Sequence, residues 1–331
     1  GEVALGAGFS SVRQFNDTIR AIFAGSPSDL RRARFGASKR NRGTTISVRL
    51  PFRHPYDAAG IFDFLGDRTI AGVETWDGQR YRRTLRLPGG NGVVGLRAMP
   101  DHIACEVTLD DLSDLQAALQ RSRRLLDLDA DPTSIGRVLG ADPLLAPLVA
   151  GRAGLRSPGI VDGTEALVRA IVGQQVSVAG ARTVLGRITA HLGTPLQEPD
   201  GELAAVFPTP EALAEAPDSV LPMPAARRRA LREACRRVAE GQIALDVGTD
   251  RDAVRRGLVS IPGIGPWTAE YVAMRALGDP DAFPAADLGL RHALTRLGIT
   301  ATPRQILDRA EAWRPWRAYA VHHLWNSLGA N

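Results

Sequence analysis

The spacing of apolar residues changes twice along this chain. Phe15, Ile19, Ile22 and Phe23 recur at helical intervals, with Arg13, Gln14 and Arg20 on other faces, which predicts a helix from Ser11 to about Ala24, stopped by Gly25-Ser26-Pro27. The string GASKRNRG at 36–43 is polar, basic and apolar-poor, as a linker would be. From Thr44 to Leu50 the period is two, with Ile46, Val48 and Leu50 on one face, and a strand is expected. Tyr56–Leu65 reads as a helix. Further strands are expected around Thr69–Thr75, Tyr81–Leu87, Val93–Met99 and Ile103–Leu109, between turns such as Trp76-Asp77-Gly78 and Pro88-Gly89-Gly90-Asn91-Gly92.

After Asp110 the period becomes helical to the C-terminus. Leu112–Leu128, Thr164–Val172, Val178–Leu192, Ala225–Glu240, Asp252–Ser260, Trp267–Leu277, Leu288–Leu297, Pro303–Trp313 and Trp316–Leu328 are the predicted helices. The expected fold is mainly α, with a small α+β antiparallel-sheet domain on its N-terminal side. Residues 1–35 and 36–43 precede these as a helical unit and a linker, 44–122 form the α+β domain, and 123–331 form an all-α domain of about nine helices.

Composition narrows the chemistry. With 331 residues, 44% of them hydrophobic, the chain can bury a large core. No apolar run approaches the ~18 residues of a membrane span, and Gly1-Glu2-Val3-Ala4 lacks a secretory pattern, so a cytoplasmic protein is expected. Cys105 and Cys235 stand far apart without a CxxC partner, which excludes a zinc ribbon or a four-cysteine iron–sulfur site. The six histidines show no HExxH spacing, and no G-x-G-x-x-G or Walker-type loop appears, so no cofactor and no nucleotide are expected.

The net charge of +5 hints at a polyanionic partner, but it is unevenly spread. Residues 1–43 hold eight of the 41 basic and three of the 36 acidic side chains, which leaves 33 of each in a neutral remainder. The sole lysine is Lys39, in the linker; every other basic side chain is arginine, which cannot serve as an amine nucleophile.

The stretch from Leu258 to Tyr271 is the most informative. A helix ends near Ser260, Pro262-Gly263-Ile264-Gly265 makes a tight turn that needs glycine's access to positive φ, and a helix restarts at Pro266 or Trp267. Bare amides of Gly263, Gly265 and the first turn near Thr268 can then hold a backbone phosphate, aided by the helix dipole. A tight αα-corner without a ligand is the plainer alternative. Asp287 reads locally as the N-cap of the helix that begins at Leu288.

Two resemblances follow. GFSSVRQFNDTIRAIFAGSPSDLR at 8–31 is similar to the second helix-turn-helix of AraC-type DNA-binding domains, of which only that half is present; an ordinary helix pair is the alternative. Over roughly 45–331 the chain resembles the helix-hairpin-helix DNA glycosylases of the bacterial 3-methyladenine DNA glycosylase II (AlkA) type. The likeness rests on HPYD at 54–57, LRSPGIVDGTEALVRAIVGQQVS at 155–177, FPTPEAL at 207–213, IPGIGPWTAEYVAMRAL at 261–277, FPAAD at 283–287 and WRPWRAYAVHHLW at 313–325.

This resemblance implies base-excision repair of duplex DNA, with a flipped 3-methyladenine or 7-methylguanine as substrate. It implies Asp287 as the catalytic carboxylate, stabilising positive charge that builds on the deoxyribose. Trp267, Tyr271, Trp325 and Phe64 match the aromatic pocket walls, suited to a cationic alkylated base, although each alone reads as core. DNA contacts fall to the hairpin at Gly263, Ile264, Gly265 and Thr268, and to Gln175 as a wedge where some relatives carry leucine.

Carbonyls of Val259, Ile261 and Ile264 would hold a monovalent Na⁺ or K⁺. Trp267 occupies the position where bifunctional members carry a Schiff-base lysine, so base removal without efficient strand cleavage is expected. The protein is expected to act as a monomer. Arg227, Arg228, Arg229, Arg314 and Arg317 are further phosphate candidates or a solvated charged face. The competing classes are an AraC-type regulator fragment and a DNA-damage binder without catalysis.

Overall fold

The computed structural model describes residues 11–23 and 44–329. Helix α1 (Val12–Phe23) matches the helix expected there and touches the first strand. The rest of the predicted half helix-turn-helix, the linker and Lys39 lie outside the described residues.

Five antiparallel strands form one sheet: β1 (Thr44–Pro51), β2 (Glu74–Trp76), β3 (Tyr81–Leu87), β4 (Gly90–Ala98) and β5 (His102–Leu109), in the order β1-β5-β4-β3-β2. Cys105 faces both Val48 and Leu96 across the ladder, which lines their side chains up on one buried face. Helix α2 (Ala58–Gly66) and helix α3 (Leu115–Leu125) cover that face, and Phe62 of α2 stacks on Trp76 with centroids 5.3 Å apart.

A strand over Thr69–Thr75 is not observed. The backbone turns there, with the Val73 and Glu74 amides both donating to Ile70 O and Gly72 at φ +83°, and only Glu74–Trp76 pairs with β3. Ile70 and Val73 are buried, but in the helical core rather than under the sheet. The division expected at residue 122 falls inside α3, because Leu125, Leu126, Leu128 and Val161 continue the core beneath the sheet.

The second core belongs to helices α4 (Pro132–Leu139), α5 (Ala146–Gly151), α6 (Gly163–Val172), α7 (Val178–Leu192), α8 (Pro210–Ala214), α9 (Ala225–Ala239), α10 (Arg251–Val259), α11 (Pro266–Arg275), α12 (Leu288–Arg296), α13 (Pro303–Ala310) and α14 (Arg317–Ser327). The all-α expectation fails at one place, the hairpin of β6 (Thr194–Asp200) and β7 (Leu203–Val206). Strand β6 carries two prolines and lies largely exposed, so it offers no alternation to read. Thr84 on β3 donates to Ala205 O at 2.9 Å, which ties this hairpin to the sheet.

Buried charges join the two layers. Arg83 on β3 donates to Glu74 at 2.9 Å and to Glu165 on α6 at 2.6 Å, and Arg169 donates to the same two carboxylates at 2.5 to 2.9 Å. Each charge is matched, without which burial would be prohibitive. Through Arg169 the network also reaches Arg68 O at 2.7 Å, at the end of α2 that faces α11 and α14.

Candidate active site

Helices α10 and α11 form the hairpin. Its apolar anchors, Ile261 and Ile264, are buried, while Pro262, Gly263 and Gly265 are exposed. Gly263 adopts φ +93°, and a Cβ there would approach Ala230 Cβ at 3.1 Å, so glycine is needed twice over. Gly265 departs from the expectation: its φ is −98°, open to any residue, and a Cβ would meet nothing within 4 Å. What glycine supplies at 265 is a bare backbone facing open space. No side chain caps α11, so the amides of Trp267 and Thr268 stay uncovered by a capping group. Ile264 differs in that its amide donates to Ile261 O at 3.0 Å and its side chain is buried.

The Arg255 guanidinium braces the hairpin, donating from α10 to Glu270 on α11 at 2.8 Å and to Asp279 at 2.5 Å. Glu270 in turn accepts the Phe283 amide at 2.9 Å, at the start of the loop 283–287. Through these bonds the hairpin sets the position of Asp287.

Asp287 is buried, 9% exposed, and its reading as an N-cap holds. Its Oδ1 caps α12 by accepting the Leu290 amide at 2.7 Å and also accepts Trp325 Nε1 at 2.8 Å. Its Oδ2 accepts Trp267 Nε1 at 2.8 Å. A carboxylate has about four lone-pair positions. Three are engaged, so Oδ2 is the oxygen with acceptor capacity in reserve. Trp267, twenty positions before Asp287, and Trp325, thirty-eight after it, thus flank one carboxylate.

The aromatic candidates connect around it. Trp267 stacks on Tyr271 with centroids 5.4 Å apart, and Tyr271 Oη accepts from Arg275 at 3.1 Å. The Arg275 guanidinium stands 4.8 Å from the Phe64 centroid; Phe64 meets His322 edge-on at 5.7 Å, and His322 meets Trp325 at 5.1 Å. The ring closes at Asp287. Phe64 differs from the expected open wall, since Arg68 already lies over its ring at 3.9 Å and donates to its carbonyl. That arginine must move before a base can stack there.

Gln175 occupies an exposed loop tip with φ +58°, a left-handed conformation unusual for glutamine, between exposed Val176 and the half-buried Gln174. Two residues that sequence reading passed over matter here. Gln174 donates to Thr268 Oγ1 at 3.0 Å and Gly263 O at 3.3 Å, which fastens the loop of Gln175 to the hairpin. Gly289 lies against Asp287 and Trp325. Gln174 carries no sequence signal beyond its place in the matched string 155–177, and Gly289 falls outside every matched string.

The arginine candidates divide. Arg314 pairs with Asp281 and Glu311, Arg317 with the same two, and Arg228 with Asp218, so these are committed within the chain. Arg227 and Arg229 make no ion pair among the described residues, and their helix touches Gly263 through Ala230. Among the described residues no group of three or more His, Cys, Asp or Glu side chains is arranged to hold a metal, and no helix is long and apolar enough to cross a membrane.

Family models match in two consecutive segments: the AlkA N-terminal domain over residues 47–162, and the HhH-GPD superfamily base excision DNA repair protein over 168–318. The chain is 48% identical over 331 residues to the Mycobacterium tuberculosis protein named "Probable bifunctional transcriptional activator/DNA repair enzyme AlkA", covering 99% of this chain and 66% of that protein. It therefore spans a little under two thirds of that relative's length. It is 35% identical over 289 residues to DNA-3-methyladenine glycosylase 2 of Escherichia coli, covering 85% of this chain and 97% of that one. The solved 3-methyladenine DNA-glycosylase from Archaeoglobus fulgidus shares the fold, with a TM-score of 0.72 at 22% identity over 84% of this chain and 97% of that one. The hairpin, the carboxylate and the sequence that carries them agree: the chain belongs to the HhH-GPD superfamily of base excision DNA repair proteins and, within it, to the DNA-3-methyladenine glycosylase 2 (AlkA) family.

Proposed function

We propose that this protein flips alkylated purines of the 3-methyladenine and 7-methylguanine type out of duplex DNA and hydrolyses their N-glycosidic bond. The observation that carries the reading is Asp287, buried between two indoles that each donate to it at 2.8 Å. Bond cleavage moves positive charge from the alkylated base to the sugar. A carboxylate whose Oδ2 retains acceptor capacity stabilises that charge at C1′ and orients the attacking water. Trp267, Tyr271 and Trp325 supply the aromatic surfaces for the flipped base. Because alkylation already weakens the bond, the pocket can be broad and still spare normal bases.

Duplex binding rests on the uncapped start of α11 and the open backbone at Gly265, with Arg227 and Arg229 beside it. Gln175 is the proposed wedge, its left-handed backbone at an exposed tip being the strained kind of residue found at functional sites. A monovalent cation on the carbonyls of Val259, Ile261 and Ile264 belongs to the same proposal, with Ile261 O already accepting one hydrogen bond. The enzyme is proposed to be monomeric and monofunctional: Trp267 stands at the lysine position, and none of residues 44–329 is lysine. Residues 1–35 are proposed as the AraC-type half-motif.

The test incubates the chain with methylated duplex DNA and measures released bases. Wild type releases 3-methyladenine, and Asp287→Asn slows release by 10²-fold or more, about 3 kcal/mol of transition-state stabilisation. Equal rates for the two proteins sink the catalytic assignment. Strand nicking without alkali sinks the monofunctional one.

A further inference from the structure

Two buried side-chain nitrogens in the aromatic ring have no hydrogen-bond partner among the described residues: Nε2 of His322 and Nε of Arg275. The two side chains are 2% and 5% exposed. Both lie against Phe64, His322 edge-on at 5.7 Å and the Arg275 guanidinium at 4.8 Å, and His322 also meets the edge of Trp325 at 5.1 Å. The other nitrogens of Arg275 are engaged, one with Tyr271 Oη and one with Gly159 O, each at 3.1 Å. Unpartnered polar atoms this deep cost stability, and proteins keep few of them, chiefly where function uses them.

Their chemistry is complementary. Burial, with Arg275, Arg68 and His323 as neighbours, holds the His322 imidazole well below the usual histidine range, so it is neutral at physiological pH. A neutral imidazole carries one acceptor nitrogen, whereas the Arg275 Nε–H can only donate. The Watson–Crick edge of adenine sets a donor, N6–H, beside an acceptor, N1; guanine reverses the two, with acceptor O6 beside donor N1–H. Methylation at N3 of adenine or N7 of guanine leaves that edge intact.

Building on the function proposed above, we infer that His322 is a specificity-determining residue: its Nε2 accepts N6–H of a flipped methylated adenine, while Arg275 Nε donates to the adjacent N1. The pair is matched to the donor–acceptor order of methylated adenine. It discriminates against an adenine whose N1 and N6 are bridged by a two-carbon etheno ring, which has no hydrogen to give and leaves Nε2 stranded.

The experiment measures single-turnover base release from duplexes carrying 3-methyladenine or etheno-bridged adenine, for wild type, His322→Leu and His322→Gln. His322→Leu should raise the etheno-to-methyl rate ratio at least tenfold, and His322→Gln, whose amide oxygen accepts, should keep it within threefold of wild type. An unchanged ratio in the leucine variant, or an equal shift in both variants, overturns the inference. Should the leucine variant not fold, wild type decides: etheno-adenine released as fast as 3-methyladenine overturns it, and release at least tenfold slower supports it. Wild type that releases neither base overturns the proposed function itself, a result distinct from an unchanged ratio.

Discussion

Gly289 and Trp325 are fitted to each other: a Cβ added to Gly289 would stand 3.2 Å from Cδ1 and 3.3 Å from Nε1 of the indole, and 3.1 Å from Asp287 Oδ1. These separations are tighter than ordinary van der Waals contact, and the backbone of α12 cannot retreat without moving its cap. Gly289→Ala therefore pushes Trp325 off Asp287. Helix propensity favours alanine by roughly 0.8–1 kcal/mol, which offsets part of the crowding. The expected outcome is near-native thermal stability with base release about tenfold slower. Native rates in this variant would mean that the Trp325–Asp287 bond is dispensable.

The two indole donors can be removed singly. Trp325→Phe and Trp267→Phe each delete one N–H from Asp287 while keeping most of the aromatic surface. A hydrogen bond to a charged group contributes about 1.5–3 kcal/mol, so each variant should lose on the order of 10- to 100-fold in single-turnover rate. Because Trp325 bonds the capping oxygen and Trp267 bonds Oδ2, the oxygen assigned to the sugar, the Trp267 variant should be the slower of the two. The reverse order would place the reacting oxygen at Oδ1.

Gln174 links the two segments proposed to contact DNA, the hairpin and the loop of Gln175. Gln174→Ala removes the donor to Thr268 Oγ1 and Gly263 O and frees the loop of Gln175 from the hairpin. The expected result is a weaker Kd for duplex DNA, by about tenfold, with little change in the rate at saturating enzyme, since a contact that positions DNA contributes to binding more than to the chemical step. Titration by fluorescence anisotropy beside single-turnover kinetics separates the two effects. A fall in rate with unchanged affinity would refute the linkage.

Asp127 gives the fold a pH dependence. It lies at the start of the chain segment that leaves α3, at φ +50°, and its Oδ2 accepts the Ser157 amide at 3.0 Å and Tyr319 Oη at 2.9 Å, from α14. Burial raises its pKa to about 7, against the lowering effect of those two donors and of Arg156. A carboxyl raised in the folded state contributes stability fully below its unfolded value near 3.8, and that contribution is lost as pH climbs toward 7. Asp127→Asn keeps an acceptor and tolerates the left-handed backbone. Its stability relative to wild type should therefore increase between pH 4.5 and 8, on the order of 2–4 kcal/mol, read as denaturation midpoints at each pH. A difference that does not move with pH would rule out titration of Asp127.

Much of the fold was legible because it rests on local rules. Period two at Thr44–Leu50 and period 3.6 after Asp110 follow from which side of an element must meet a core, and Val178–Leu192 was recovered to the residue. The reading failed where tertiary partners override local pattern. Ile70 and Val73 look like strand residues, yet they fill the helical core across a turn at Gly72. Proline-rich β6 looks like loop, yet it pairs with β7, and β7 is tied to β3.

The site divides along the same line. Taken alone, the sequence determined that a glycine turn precedes a helix with bare amides, that no lysine stands at the end of the hairpin, and that Asp287 begins a helix, because each of these depends on neighbours in the chain. Only the tertiary structure decided that Trp267 and Trp325 bring their N–H groups to one carboxylate, that Arg68 covers Phe64, that Arg314 and Arg317 are spent on Asp281 and Glu311, and that His322 Nε2 is buried without a hydrogen-bond partner among the described residues. Those facts arise from helices far apart in sequence packing at angles that no local periodicity encodes.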